Sequence, residues 1–222
     1  MKRAFALLLL LLFVATSSKG GGLQIVKIDT DHQSFVFSAA SGKPLMFRYW
    51  GARLSEEDAG AILSACGREK SWELYPAYGG ALYTNPALTL VHADGQLTTE
   101  LVFSSCHSRQ LDENRTETII VLQDKVLPLT VELRFTAFRQ QDIVMQSVTV
   151  RNREQGPVIV RQIASAFFSL KAMSYYLTHF HGSSNAEMWL KEELLTPGIQ
   201  TIDSKKGCLL YTSDAADEAR SV

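Results

Sequence analysis

The chain has 222 residues, 46% hydrophobic and 20% charged, which is long and apolar enough to bury the core of one domain. Its formal net charge is −1 and it has no stripe of clustered Lys and Arg, so the sequence excludes a nucleic-acid-binding protein. The three cysteines, Cys66, Cys106 and Cys208, exclude a disulfide scaffold, while a Cys66–Cys106 bridge and free buried thiols both stay open.

The N-terminus has the layout of a secretory signal peptide. Lys2 and Arg3 precede an apolar run from Ala4 to Ala15, and small residues follow around Thr16 to Ser18. A membrane anchor is the alternative, but the run is shorter than the roughly 20 residues that cross a bilayer. We therefore expect residues 1–18 to be a signal peptide, the protein to be periplasmic or secreted, and no stable membrane anchor.

Three strands are predicted first. Leu23–Ile28 and Gln33–Ala40 alternate with period two and are separated by polar residues, which indicates a hairpin. Leu45–Gly51 continues the alternation after a turn at Ser41-Gly42.

One helix is predicted next, over Ser55–Cys66. Ser55 can cap it, and Glu56, Glu57 and Asp58 suit the positive N-terminal end of a helix. We interpret these consecutive acids as a capped first turn and not as a metal or catalytic cluster.

From Ala87 to Leu170 the sequence predicts strands separated by turn residues. In the fourth of them, Val131, Leu133 and Phe135 alternate with polar residues, which gives one buried and one solvent-facing side. Parallel pairing would need crossovers of a dozen or more residues, so we predict an all-β fold, an antiparallel β-sandwich with one or two short helices. The predicted strands are Ala87–His92, Leu97–Ser105, Thr116–Leu122, Leu129–Phe138, Ile143–Asn152 and Val158–Leu170.

The most function-like stretch is YLTHFHGSSNAEMW, from Tyr176 to Trp189, which lacks a regular period and is typical of a ligand-facing loop at a sheet edge. Its polar groups beside aromatic rings suit a sugar, whose hydroxyls need directional hydrogen bonds and whose C–H face stacks on rings. An ordinary turn that packs the edge of a sandwich is the alternative. The candidate substrate-binding residues are His181, Ser183, Ser184, Asn185 and Glu187, with Tyr175, Tyr176, Phe180 and Trp189 as the neighbouring rings.

His179 and His181 are two residues apart and project from one face of a strand, so a shared metal is conceivable. Glu187 is the only nearby third ligand. We favour hydrogen-bonded structural histidines and expect no metal site.

The strand that enters H-F-H-G-x-x-x-x-E resembles the N-terminal β-domain of glycoside hydrolase family 36, the retaining α-galactosidases. ELYPAYGG (Glu73 to Gly80), NPALTLVHADG (Asn85 to Gly95) and FRYWG (Phe47 to Gly51) are similar to that domain in order and spacing. The resemblance covers about Leu23 to Gly207 and implies a large twisted sandwich, a supersandwich. Two departures suggest a divergent branch: Ser184 stands where the family commonly has Trp, and Leu82 and Thr84 stand where relatives often have Asp and Arg.

The resemblance implies a retaining α-galactosidase that hydrolyses terminal α-galactosyl residues of oligosaccharides, without metal or organic cofactor, and the expected signal peptide makes it a secreted one. Its catalytic Asp pair belongs to a barrel that follows the sandwich, so we expect no catalytic residue in residues 23–207 and name the protein's own barrel as a partner. Association with further copies of the chain stays open. We interpret Glu192, Glu193 and Asp203 as solvated residues in a helix-like or turn context. A non-catalytic carbohydrate-binding module is the alternative function.

The last stretch, CLLYTSDAADEARSV, departs from the strand pattern after Gly207. It is similar to translated adaptor sequence at the ends of assembled gene fragments. We expect residues 208–222 to be a non-native tail, and a genuine short C-terminal tail is the alternative.

Overall fold

The computed structural model describes residues 22–65, 72–80, 85–170, 174–183 and 186–202. Strands dominate this part of the chain and one α-helix occurs in it. No helix among these residues is long and apolar enough to cross a membrane. The elements are β1 (Gln24–Asp29), β2 (Gln33–Ala39), β3 (Met46–Ala52), α1 (Glu56–Ala65), β4 (Trp72–Glu73), β5 (Leu88–Val91), β6 (Leu101–Gln110), β7 (Arg115–Asp124), β8 (Leu129–Phe138), β9 (Ile143–Asn152), β10 (Ile159–Ile163), β11 (Tyr176–Ser183) and β12 (Ala186–Leu194).

The chain divides into two compact units, residues 1–169 and residues 170–222. The first unit contains two four-stranded antiparallel sheets, β1-β2-β3-β4 and β6-β7-β8-β9, and the pair β10-β5. The second unit contains the antiparallel pair β11-β12.

The two larger sheets pack face to face through apolar side chains. The rings of Phe37 in β2 and Phe135 in β8 lie 5.5 Å apart, and both side chains are buried. In β8, Val131 and Leu133 are fully buried on the same side as Phe135, while Glu132 and Arg134 form ion pairs on the other side. The predicted antiparallel β-sandwich is therefore confirmed.

Helix α1 begins where the sequence predicts. Ser55 Oγ accepts a hydrogen bond from the Asp58 amide at 3.0 Å and donates to the Asp58 carboxylate at 2.7 Å, which caps the first turn. Glu56 pairs with Lys27 of β1 at 2.9 Å, and Ala59 is fully buried. The acids of this turn are thus engaged in capping and pairing, as the sequence indicates.

Three predicted elements differ from the structure. β6 begins at Leu101 and not at Leu97, and it extends to Gln110 because pairing with β7 supports its polar second half. β10 ends at Ile163, so the predicted strand over Val158–Leu170 is too long. The interpretation of Tyr176–Trp189 as an irregular loop is wrong, since β11 and β12 contain all its described residues and pair antiparallel.

Candidate functional site

The predicted sugar-binding stretch is a tight antiparallel hairpin. His181 lies opposite Trp189 and Ser183 lies opposite Ala186, with a register shift between these two pairs. Ser184 and Asn185, which join the strands, lie outside the described residues, and for His181, Ser183 and Glu187 only the backbone is described. The structure therefore places the backbone of this stretch and leaves the roles of the five candidate side chains as predictions.

Met188, next to Glu187 in β12, has a backbone φ of 56°. A residue with a side chain pays about 1–2 kcal/mol in this left-handed region, and such strain concentrates at functional sites. The irregularity thus coincides with the candidate stretch, directly before Trp189.

The hairpin has exposed apolar side chains on both of its faces. Tyr176 is paired across the strands with Leu194, and Phe180 is paired with Leu190. The exposed fractions of Tyr176 and Leu190 are both 64%, and Trp189 of β12 is 63% exposed. Rings with so much free surface can stack on the C–H face of a sugar, which is what the sequence predicts for three of the four named aromatics.

His179 is part of a polar cluster within the hairpin. Its Nε2 lies 3.5 Å from Glu193 Oε1. The Glu193 carboxylate also binds Lys191 Nζ at 3.0 Å through Oε2 and Gln200 Nε2 at 3.1 Å through Oε1. The hydrogen bond from Lys191 is the main cause that lowers the pKa of Glu193. His179 thus lies in a polar environment, and its structural role stays a prediction. The helix-like or turn interpretation of Glu192 and Glu193 is wrong, because β12 contains both residues.

A shared metal at His179 and His181 would also need the His181 and Glu187 side chains, which lie outside the described part of the structure. Among the side chains that are described, no three His, Cys, Asp or Glu residues group closely enough to hold a metal.

The motif ELYPAYGG is held rigidly in the first unit. The hydroxyl of Tyr75 donates to the Ala164 carbonyl at 2.7 Å, and burial raises the Tyr75 pKa to about 12. Gly79 has φ of 97°, and a Cβ at this position would lie 2.6 Å from the Thr98 methyl carbon, so only glycine fits. Leu82 and Thr84, the predicted departures from the family pattern, lie outside the described residues.

The motif NPALTLVHADG contains a buried polar triad. His92 Nδ1 lies 2.8 Å from Glu154 Oε1 and His92 Nε2 lies 2.8 Å from Thr99 Oγ1. The second Glu154 oxygen accepts from the Ala93 amide at 2.9 Å. The arrangement is that of a hydroxyl, an imidazole and a carboxylate in series. Because the side chains of His92 and Glu154 are 0% and 5% exposed and Thr99 is buried, the triad joins two loops and presents no nucleophile to solvent.

Cys106, the cysteine whose thiol the structure describes, is not a reactive nucleophile. Cys106 is a free thiol, and desolvation raises its pKa to about 11. A thiol with a raised pKa has little thiolate and low reactivity. Cys66 and Cys208 lie outside the described residues.

A pocket that the sequence analysis missed lies beside the motif FRYWG. Trp50 stacks on Phe35 with ring centroids 5.0 Å apart, and its Nε1 donates to Gln33 Oε1 at 3.0 Å. Next to these rings is a cavity of about 140 Å³ that also contacts Gln146 of β9. The sequence contains one indication of this pocket: in IVMQSVTV, the amide of Gln146 interrupts a row of alternating valines. Whether that amide lines a pocket depends on how the other sheet packs against it.

Comparison with known proteins identifies the family. The glycosyl hydrolase family 36 N-terminal domain matches residues 43–215. Alpha-galactosidase AgaA from Geobacillus stearothermophilus is 24% identical over 147 residues, which are 60% of this chain and 20% of that protein. Alpha-galactosidase 2 from Pediococcus pentosaceus is 27% identical over 146 residues, again 60% of this chain and 20% of that protein. The matched region is thus about a fifth of the length of these curated relatives.

Solved structures show the same fold. The α-galactosidase from Lactobacillus brevis superposes with a TM-score of 0.69 at 20% identity, covering 82% of this chain and 28% of that chain. A variant of AgaA from Geobacillus stearothermophilus, solved in complex with raffinose, gives 0.69 at 19% identity, covering 82% and 29%. The family match covers most of the sequence, and the fold agrees with that of the solved enzymes. The chain therefore belongs to the glycosyl hydrolase family 36 N-terminal domain family.

Proposed function

We propose that this chain is the N-terminal β-sandwich of a retaining α-galactosidase that acts on terminal α-galactosyl residues of oligosaccharides. The observation that carries the proposal is the family match over residues 43–215, because the curated relatives that this chain matches are α-galactosidases. The complex of the AgaA variant with raffinose supports an oligosaccharide substrate.

The catalytic carboxyl pair of this enzyme lies, in our proposal, on a barrel outside the 222 residues. A retaining glycosidase needs two carboxyl groups about 5 Å apart at the scissile bond. Three described carboxylates with little exposed surface are committed elsewhere: Glu117 binds Arg109 and Arg134, Glu154 binds His92, and Asp124 accepts hydrogen bonds from backbone amides. The chain alone is therefore proposed to be inactive.

An exposed apolar strand supports a larger parent protein. All five residues of β10 are exposed, and three of them are large and apolar: Ile159, Val160 and Ile163, with exposed fractions of 49–59%. Apolar clusters of this kind mark surfaces that another domain covers. We propose that the barrel covers β10.

Two measurements test the enzyme proposal. The purified chain should leave an aryl α-galactoside intact, and the open reading frame should continue past Gly207 into a barrel with paired Asp residues. Turnover by the chain alone would refute its inactivity, and a natural stop after Gly207 would favour the carbohydrate-binding module. If the full-length protein hydrolysed a different α-glycoside and left α-galactosides intact, the substrate would be wrong.

We further propose that the loop from His181 to Glu187 faces the sugar in the intact enzyme. The double change of Asn185 and Glu187 to Ala in the full-length protein should lower kcat/KM at least about tenfold, because two hydrogen bonds to the sugar are lost. Glu113→Ala, a substitution at an exposed position, is the matched control and should leave kcat/KM unchanged. Loss of folding in the double variant with no defect in the control would show a structural loop.

Export is proposed on the basis of the apolar run after Lys2 and Arg3. Residues 1–22 fused to a reporter that is active only after export should yield activity, and the change of three central leucines to Arg should abolish it. Equal activity of both fusions would contradict a signal peptide.

A further inference from the structure

The inner face of β9 contains one polar residue among valines. Val144, Val148 and Val150 pack against the core, and Gln146 lies in the same alternating row. Its cross-strand partner is Phe135, which is 2% exposed, so the amide is directed to the interior with that ring. An amide at such a position costs stability unless it forms hydrogen bonds.

Gln146 does not form such hydrogen bonds with any residue in the described part of the chain. Its Nε2 and Oε1 are both buried, and neither has a hydrogen-bond partner among the residues that the structure describes. Buried amides in native proteins are satisfied in the great majority of cases, so an unsatisfied one points to a bound molecule or to a function.

Gln146 lines a cavity of about 140 Å³. A cavity of about 150 Å³ holds a benzene molecule, so this partly open space accepts the ring atoms of one six-membered ring, and the substituents of a sugar would extend through its opening. Four aromatic residues and three polar residues surround it: Phe35, Trp50, Phe135 and Phe168, with Gln33, Asp142 and Gln146, together with Val144. Aromatic walls with a few directed polar groups are typical of a site for a small ligand.

The opening of the cavity is fixed by its own contacts. Trp50 stacks on Phe35 and lies 5.6 Å from the ring of Phe168, and Trp50 and Phe168 are 43% and 45% exposed. Asp142 is held by Thr30 Oγ1 at 2.7 Å and by the His32 ring at 2.7 Å, which fixes its carboxylate as an acceptor. The walls thus combine free ring surface with polar atoms that are already oriented.

We propose that this cavity binds one pyranose ring of a saccharide, separately from any catalytic centre. The Gln146 amide offers a donor and an acceptor side by side, and neighbouring sugar hydroxyls offer the complementary pair, because each hydroxyl both donates and accepts. The C–H face of the ring packs on Trp50. The site consists entirely of residues 33–168, so it does not depend on the hairpin or on the proposed α-galactosidase activity.

Binding is tested on the purified chain by calorimetry and indole fluorescence, with methyl α-D-galactopyranoside and methyl α-D-glucopyranoside as probes and mannitol as the acyclic control. We expect millimolar binding of at least one pyranoside, and at least about tenfold weaker binding by the Gln146→Leu variant. Gln146→Leu should fold at least as stably as the native chain, because it removes an unsatisfied amide. Gln123→Leu, on an exposed position of β7, is the matched control and should bind normally.

Trp50→Leu provides a second variant, since its side chain lies at the opening, and it should also weaken binding. The proposal is overturned if no pyranoside binds up to about 100 mM, if Gln146→Leu binds as well as Gln123→Leu, or if mannitol binds equally well. It is also overturned if Gln146→Leu is markedly destabilised, since the amide would then be satisfied within the fold by an internal water molecule.

Discussion

The buried pair of His92 and Glu154 gives the sharpest stability prediction. Glu154→Ala removes the acceptor of the Ala93 amide and the partner of the His92 ring, both within 2.9 Å in a site from which water is excluded. Removing one member of a buried pair costs about 3–5 kcal/mol, and two hydrogen bonds to a carboxylate at about 1.5–3 kcal/mol each give about 3–6 kcal/mol. We therefore expect a loss of about 3 kcal/mol in the free energy of unfolding.

Urea unfolding followed by circular dichroism measures this loss. With a slope of about 2 kcal/mol per M, a loss of about 3 kcal/mol moves the midpoint down by about 1.5 M. Glu154→Gln retains an acceptor for His92 and should recover part of the loss, whereas the exposed control Glu113→Ala should stay within about 0.5 kcal/mol of the native chain. If Glu154→Ala shifted the midpoint no more than Glu113→Ala, the triad would contribute no stability and our account of the motif would be wrong.

Two further predictions concern titration. The pKa of Asp142 is lowered to about 2, mainly by the hydrogen bond from Thr30, and the pKa of His32 is raised by its hydrogen bond with Asp142. The stabilisation from Asp142 is thus present above its ordinary pKa near 4 and is lost as pH falls towards 2. The stabilisation from His32 is present below about pH 6.5 and is lost as pH rises through its raised pKa. Asp142→Asn, which tolerates the φ of 52°, should flatten both limbs of a plot of melting temperature against pH, and unchanged limbs would contradict the pairing. The second concerns Cys106 in a variant whose Cys66 and Cys208 are replaced by Ser. At pH 8, Cys106 should react with a thiol reagent about 100-fold more slowly in the folded chain than in urea, because burial raises its pKa from 9.0 to about 11. Equal rates would show an accessible thiolate.

Much of the sandwich was predictable because its strands are defined locally. The predicted Leu129–Phe138 and Ile143–Asn152 match β8 and β9 at both ends, since strict alternation runs up to clear turn residues on each side. β12 was missed for the opposite reason. Its charged sequence, Lys191 to Glu193, has no strand character alone and is extended because it pairs with β11.

The cavity could not be predicted from sequence, because its walls come from distant segments. Trp50 and Gln146 are 96 positions apart in the chain, and only the packing of β2 and β3 against β8 and β9 brings them together. The interrupted valine row identifies Gln146 as unusual, yet a polar residue at an inner position is equally compatible with an internal hydrogen bond to a neighbouring strand. The three-dimensional contacts decide between these possibilities.

The motifs that carry the family resemblance differ in what they say about function. Tyr75, Gly79 and His92 are fixed by buried bonds or close contacts within the sandwich, so their match supports the fold and says little about substrate. Trp50 is different, because its ring is half exposed beside a cavity with an unsatisfied amide. A sandwich that binds a pyranose at Trp50 would keep this property whether or not a catalytic barrel accompanies it. Saccharide binding by the chain and hydrolysis by the full-length protein are therefore independent, and failure of one leaves the other standing.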